Sequence, residues 1–164
     1  MKKKPAGKSR RKTIVAVSGG FDPIHVGHVR LFRRAKALGD ELVVILNNDN
    51  WLKKKKGFTF MPQEERKELL EAIDAIDRVV ITGHPENPTD MSVSAELLAL
   101  KPHIFANGGD RDTQDARKKS SSLNADQIIC GKLGIKMVFS VGRGGKVQSS
   151  SWLLENFKKL FKGK

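Results

Sequence analysis

Residues 18–28 read SGGFDPIHVGH, and the fold turns on what this stretch connects. Immediately before it, Thr13–Ser18 (TIVAVS) is an apolar, β-branched run of the kind a fully buried strand carries. Immediately after it, GHVRLFRRAKALG places Val29, Leu31, Phe32, Ala35 and Leu38 on one helical face, with basic residues opposite and Gly39 as the stop. The stretch is therefore a strand-to-helix turn. Gly19 and Gly20 let the backbone approach a ligand closely. Free N–H groups and the dipole at the helix start suit a phosphate. His25 and His28, three apart, face one side of the helix entrance together.

The same alternation continues outward. Glu41–Asn47 (ELVVILN) reads as a second buried strand, followed by polar NDNWLKKKKG, read as a loop. Pro62 opens the helix PQEERKELLEAIDAI, with acids in its first turn as the helix dipole favours. RVVIT is a third strand, and PTDMSVSAELLALK a helix capped at Thr89 or Asp90. HIFAN is a fourth strand, SLNADQIICGKLG a helix, IKMVFSV a fifth strand and SSSWLLENFKKLF the closing helix. Four of the five strands are apolar on both alternations and each is followed by a helix, which spells an α/β domain: a five-stranded parallel sheet covered on both sides.

In such a sheet ligands gather outside the carboxyl ends of the strands, so unusual residues should follow strands. They do. Gly19, Gly20, Asp22, His25 and His28 follow the first; Asn47, Asn48, Asp49 and Lys53–Lys56 follow the second. Asn107–Arg111 (NGGDR) follow the fourth, and Gly142–Ser151 (GRGGKVQSSS) the fifth. Imidazole donors with lysines and Arg111 around them suit a phosphoryl group on which charge grows during transfer. The GxxxxGK[ST] loop of P-loop enzymes is absent, and proline stands where a GxGxxG dinucleotide helix would start. Asp22 is the one acid beside the histidines, too few ligands for a metal site of their own.

Composition narrows the class. The chain has 164 residues and a formal net charge of +13, enough length for one domain with a real core. Residues 1–12 hold seven Lys/Arg and no acid, which reads as a basic disordered tail before a domain over residues 13–164. No apolar run is long enough to cross a bilayer. One cysteine, Cys130, forms no internal disulfide and reads as a buried structural residue, so the expected compartment is cytoplasmic. Tyrosine is absent and the aromatics do not alternate with basic residues, so nucleic acid is a minor partner reading, carried by the tail alone. His103 reads as structural, and His84 sits in a loop with no assigned role.

At this point GGFDPIHVGH resembles the signature of the HxGH-motif nucleotidyltransferase superfamily, here His25-Val26-Gly27-His28. NNDNWLKKKKG and KPHIFANGGD look like the corresponding segments of the nucleotidyltransferase domain of bacterial ADP-heptose synthase. MPQEERKELLEAIDAIDRVV, with Arg66, and GKVQSSSWLL match the family's later helix starts in order. Glycerol-3-phosphate cytidylyltransferases and archaeal FAD synthetases share much of this frame. The resemblance implies a Rossmann-like fold of the HUP nucleotidyltransferase type. It also implies transfer of a nucleoside monophosphate, AMP favoured over CMP, from ATP or CTP to a small phosphorylated acceptor such as heptose 1-phosphate.

Carried over by position, it implies further roles. Gly19, Gly20 and Phe21 would lie against the nucleotide, and Asp22 near the phosphates or the acceptor. His25 and His28 would stabilise the transition state, with Lys53 or Lys56 as a flexible-loop lysine on the triphosphate. Gly108, Gly109 and Asp110 would lie under base and ribose, while Arg143 and Ser149, Ser150 and Ser151 receive phosphates. Asp49, Arg66 and Arg111 would support the acceptor or the loop. Mg2+ would accompany the triphosphate, and a homodimer is the expected assembly. The other readings are a cytidylyltransferase acting on glycerol 3-phosphate and a non-catalytic nucleotide or nucleic-acid binder. For the serines the plain alternative is a helix N-cap.

Overall fold

The computed structural model describes residues 11–108, 114, 117, 121–142 and 149–161. Gly109, Asp110, Arg111, Arg143 and the first ten residues of the basic tail lie outside the described residues.

Strand β1 (Ile14–Gly19) leads through the glycine turn into α1 (Val26–Lys36), and β2 (Glu41–Leu46) into α2 (Asp49–Lys56) and α3 (Gln63–Glu71). Then follow β3 (Arg78–Ile81), α4 (Ser94–Leu100), β4 (Ile104–Gly108), α5 (Ser122–Leu133), β5 (Lys136–Val141) and α6 (Ser150–Phe161). The strands form one parallel five-stranded sheet in the order β3-β2-β1-β4-β5. The chain winds outward from β1 to β3 and then returns to the other side of β1. The direction reverses between β1 and β4, which opens a crevice at their carboxyl ends.

Strand side chains alternate between two faces, and the core divides accordingly. Val15, Val17, Leu42, Val44 and Leu46 pack with Phe32 and Ala35 of α1 and Leu70 of α3. Ala16, Ile45 and Phe105 face the opposite way, onto Leu97 of α4 and Leu123 and Cys130 of α5. Both faces of the sheet are thus covered by helices, as the two-sided apolar strands require. Burying each Val, Leu, Ile or Phe side chain of these sets fully contributes about 1.5–3 kcal/mol, and the alanines and the cysteine less. Among them is Cys130, whose thiol is pushed up to about 12 by burial and, secondarily, by Asp126. His103 has the expected structural part: its Nδ1 accepts from Ile14 N at 3.0 Å.

Three local expectations change. Asn48–Gly57 is not a polar loop. Asn48 Oδ1 caps α2 by accepting from Trp51 N at 3.0 Å, and Trp51 and Leu52 bury its inner side. Gly57 ends it in the left-handed conformation at φ 83°, where a side chain would be strained. Secondly, α1 stops at Lys36, before Gly39; the need for glycine at 39 is steric, since a Cβ there would meet Thr13 O at 2.6 Å. Thirdly, α4 begins at Ser94 without a side-chain cap, while Asp90 turns the chain before it by accepting from Ser92 N at 2.9 Å.

Candidate active site

His25 stands at the N-cap of α1 in an extended backbone conformation. Its Nδ1 accepts from Gly27 N at 3.1 Å, and His28 Nδ1 accepts in turn from His25 N at 3.3 Å. The two histidines thus form a reciprocal cap, the role usually played by Ser/Thr and Glu/Gln. Stacking of the rings, centroids 3.7 Å apart, completes the pair, and Phe21 meets His28 edge-on at 5.0 Å.

This cap fixes the chemistry of both rings. A nitrogen that accepts from a backbone N–H carries no proton, so each neutral imidazole holds its proton on Nε2. Neither Nε2 has a partner among the described residues. Burial and the nearby Lys56 charge lower the pKa of His25. Burial above all, then His25 and Lys56, pushes His28 down to about 3. At neutral pH the turn therefore offers two neutral Nε2–H donors. The helix N–H groups foreseen as a phosphate cradle are partly spent, Gly27 N on His25 Nδ1 and His28 N on His25 O.

Lys56 is the lysine of the run that reaches this turn. Its Nζ donates to Asp22 O at 3.0 Å. Its pKa is lowered by burial and by Arg66, with Asp22 opposing. Lys53 lies one helical turn earlier and is exposed, and Lys54 bonds Asn87 Oδ1 at 2.7 Å. Both lysines singled out from sequence stand on a helix, not on a flexible loop.

Four other sequence candidates sit differently from the expected contact with nucleotide or phosphate. Phe21 is buried at 5% exposure and packs onto Phe32 as well as His28, so its ring faces the core. The glycines before it make room for the chain itself. A Cβ on Gly19 would meet Phe21 Cζ at 2.8 Å, and one on Gly20 would meet Leu52 Cδ2 at 2.7 Å. Asp22 is buried and gives its two carboxylate oxygens to Phe60 N (2.7 Å) and Met61 N (2.8 Å).

Arg66 is buried too, and its guanidinium joins three segments through four acceptors. It donates to Met61 O (2.9 Å), Gly20 O (2.6 Å), Asn47 O (2.8 Å) and Asp49 Oδ1 (2.6 Å). Bracing the loop, rather than touching phosphate, is its place in the structure. Asp49 completes the brace by accepting from Arg66 at the start of α2.

On the far side of the crevice, Gly108 ends β4 against Leu31, whose Cδ1 would lie 2.9 Å from an added Cβ. Ser149 caps α6, its Oγ accepting from Trp152 N at 3.1 Å. Ser150 Oγ donates to Pro23 O at 2.9 Å, which fastens α6 to the histidine turn, and Ser151 is exposed. The imidazoles, Lys56 and the start of α6 therefore converge on the Asp22–Pro23 segment at one sheet edge. Asn47, named from sequence among the polar residues after β2 but given no role, has its Oδ1 buried at the end of that strand without a partner among the described residues. A polar residue closing an apolar strand was the available signal.

Among the described residues no group of three or more His, Cys, Asp or Glu is placed to hold a metal. No helix there is long and apolar enough to cross a membrane.

Known proteins share this arrangement. Residues 16–131 match the model of the cytidylyltransferase-like family. FAD synthase of Pyrococcus horikoshii is 44% identical over 119 residues, which is 70% of this chain and 76% of that protein. The bifunctional protein HldE of Pelobacter propionicus is 44% identical over 107 residues, 64% of this chain, which spans only 21% of HldE. The crystal structure of a lipopolysaccharide core biosynthesis protein from Thermoplasma volcanium shares the fold, with a TM-score of 0.60 at 24% identity over 79% of this chain and 94% of that one. With the family model matched across most of the sheet and with HxGH at the strand-to-helix turn, the chain belongs to the cytidylyltransferase-like family of nucleotidyltransferases.

Proposed function

We propose that the chain transfers AMP from MgATP to a small phosphomonoester and releases pyrophosphate. An acceptor phosphate oxygen attacks the α-phosphorus, the bond from that phosphorus to the β-bridging oxygen breaks, and its electron pair leaves with pyrophosphate. A phosphate oxygen is already a nucleophile, so no general base is required. The protein's part is alignment and stabilisation of growing charge. The observation that carries this reading is the pair of stacked imidazoles with Nε2 unpartnered beside Lys56. Two neutral donors fixed by the backbone cost no reorganisation when charge develops. Lys56 exchanges its bond to Asp22 O for a phosphate oxygen. Mg2+ enters as part of the nucleotide substrate, since Asp22 already accepts from Phe60 and Met61 and Asp49 from Arg66.

For the acceptor we favour FMN, with a sugar phosphate such as heptose 1-phosphate second. The FAD synthases match over most of their own length, whereas HldE matches over about a fifth. Pyrophosphate release from MgATP or MgCTP, each paired with FMN, heptose 1-phosphate or glycerol 3-phosphate, tests the reading. Release with ATP and FMN, abolished in His28→Ala, is the expected result. Preference for CTP with glycerol 3-phosphate would move the chain to the cytidylyl side. No release with any pair, together with nucleotide affinity that falls only when residues 1–12 are deleted, would leave a binding protein.

A further inference from the structure

A second concavity lies two strands away from the histidines, at the carboxyl end of the edge strand β3. Its volume is about 240 Å3, and Gly83, His84, Thr89, Asp90, Ala95 and Glu96 are among its lining residues. That is smaller than the roughly 300–1,000 Å3 of pockets that enclose whole cofactors, and suits one sugar-sized fragment. Asp90 and Glu96 each spend one carboxylate oxygen on the loop's own backbone, at Ser92 N and Gly83 N. Thr89 adds an exposed hydroxyl. Carboxylates and a hydroxyl accept hydrogen bonds from alcohol groups, and the carboxylates repel phosphate.

The loop around this cavity is fastened along α2. Thr82 Oγ1 accepts from Asn48 N, and His84 O accepts from Asn48 Nδ2 (2.8 Å) and Asn50 Nδ2 (3.1 Å). Met91 O accepts from Trp51 Nε1, and Asn87 Oδ1 from Lys54 Nζ. The His84 ring is locked as well. Ser92 O can only accept, so Nε2 donates to it at 2.9 Å and Nδ1 accepts from the Thr82 hydroxyl at 2.7 Å. The cavity is thus held at the beginning of α2, while Lys56 stands at its end. Eight residues of helix span about 12 Å, a distance comparable with an extended polyol phosphate plus the reach of a lysine side chain. The cavity's lining offers carboxylates and no lysine or arginine, with Lys54 bonded to Asn87 outside it, and the other end of α2 offers cation and imidazoles without free carboxylate.

We propose that the cavity lined by His84, Thr89, Asp90 and Glu96 is the subsite for the hydroxyl-rich body of the acceptor, whose phosphate points along α2 to Lys56 and the histidines. This rests on the reading of the chain as a transferase to a phosphomonoester. The shared ligand chemistry is a polyol phosphate, found both in the ribityl chain of FMN and in heptose 1-phosphate.

The test fills the cavity with Ala95→Phe and, in a second protein, removes a hydroxyl and a negative charge from it with Thr89→Val and Glu96→Gln, both retaining side-chain shape. Binding of FMN and of heptose 1-phosphate is measured calorimetrically without nucleotide, with inorganic phosphate as a head-group control, and KM values come from pyrophosphate release. Folding of each variant is checked by thermal melting. The proposal predicts that the wild-type protein binds one of the two acceptors. It further predicts at least tenfold weaker binding of that acceptor in both variants, a matching rise in its KM, and phosphate affinity and ATP KM within twofold of wild type. Acceptor affinity unchanged in folded variants, equal losses for inorganic phosphate, or no binding of either acceptor to the wild-type protein overturns it. Acceptor binding that the variants weaken, in a protein that never releases pyrophosphate, upholds the subsite and refutes the transferase reading instead.

Discussion

The two sides of the crevice are built differently. On the β1–β2 side, the turn from Gly19 to His28 is held by long-range bonds: Asp22 to Phe60 and Met61, Arg66 to Gly20, Asn47, Met61 and Asp49, and Lys56 to Asp22. On the other side, Ser150 Oγ of α6 donates to Pro23 O of the turn, and Lys158 lies over the Phe58 ring of the α2–α3 connection at 5.8 Å. Trp152 and Leu160 on that helix stay 49% and 75% exposed. On the proposed reading, the donors meant for the reacting phosphate are preset by this braced scaffold, and the start of α6 is tied to the turn through Ser150. Preset donors suit charge stabilisation, since their orientation is settled before the reaction begins.

The comparison can be broken most severely at Arg66. Arg66→Ala leaves Asp49 without its cation and three carbonyls without a donor, and should cost about 3–5 kcal/mol of stability, read from urea unfolding; a loss below about 1 kcal/mol would mean that the brace is not structural. Arg66→Lys cannot reproduce the fork and should recover only part of it. Next in size come His25→Ala and His28→Ala. Each removes one donor worth on the order of 3 kcal/mol in the transition state, so turnover should fall roughly 10²-fold or more. Steady-state kinetics on variants shown to be folded at the assay temperature, with the lower melting point expected from losing the reciprocal cap, support the account, and normal turnover in both variants defeats it.

The lysines sharpen the contrast within α2. Lys56→Met should lower turnover about tenfold or more, against less than threefold for Lys53→Met, because only Lys56 reaches the turn; the reverse order in the same assay would reassign the cation. The smallest effect belongs to the loosely attached side. Ser150→Ala removes a single hydrogen bond, about 1 kcal/mol, and should shift the melting temperature by a few degrees with little change in turnover. A loss as large as that of Arg66→Ala would show α6 to be braced as firmly as the turn.

The sheet was legible because its strands are apolar on both alternations, which few other structures tolerate, and because HxGH sits where one of them turns into a helix. Helix α2 was not. Four consecutive lysines read as a solvated loop, and the cap at Asn48, the inward pair Trp51–Leu52 and the stop at Gly57 are each weak signals alone. Arg66 stands in PQEER, a sequence that reads as an exposed first turn. Its burial depends on carbonyls from positions 20, 47 and 61, which no local pattern links. Phe21 and Asp22 were assigned outward for the same reason: their partners, Phe32, Phe60 and Met61, are brought to them by the fold. The residues that face the crevice were nameable from sequence; Asp49 and Arg66 were named as supports through the family resemblance alone, and the backbone groups that they and Asp22 engage were not legible.

The histidine pair also ties stability to pH. An unfolded histidine takes up a proton near 6.5, whereas folded His28 resists until about 3. Between those values the unfolded chain binds more protons, so the folded state loses stability as pH falls, by up to about 1.4 kcal/mol per pH unit for this residue. The most direct test of the preset donors is long-range proton–nitrogen NMR of the imidazoles during a pH titration of the ligand-free protein. The account predicts that at pH 5.5 His28 is still neutral and protonated on Nε2, and that His25 titrates below 6.5 with the same tautomer above its midpoint. Two imidazolium rings at that pH, or a proton on Nδ1 of either neutral ring, would contradict it.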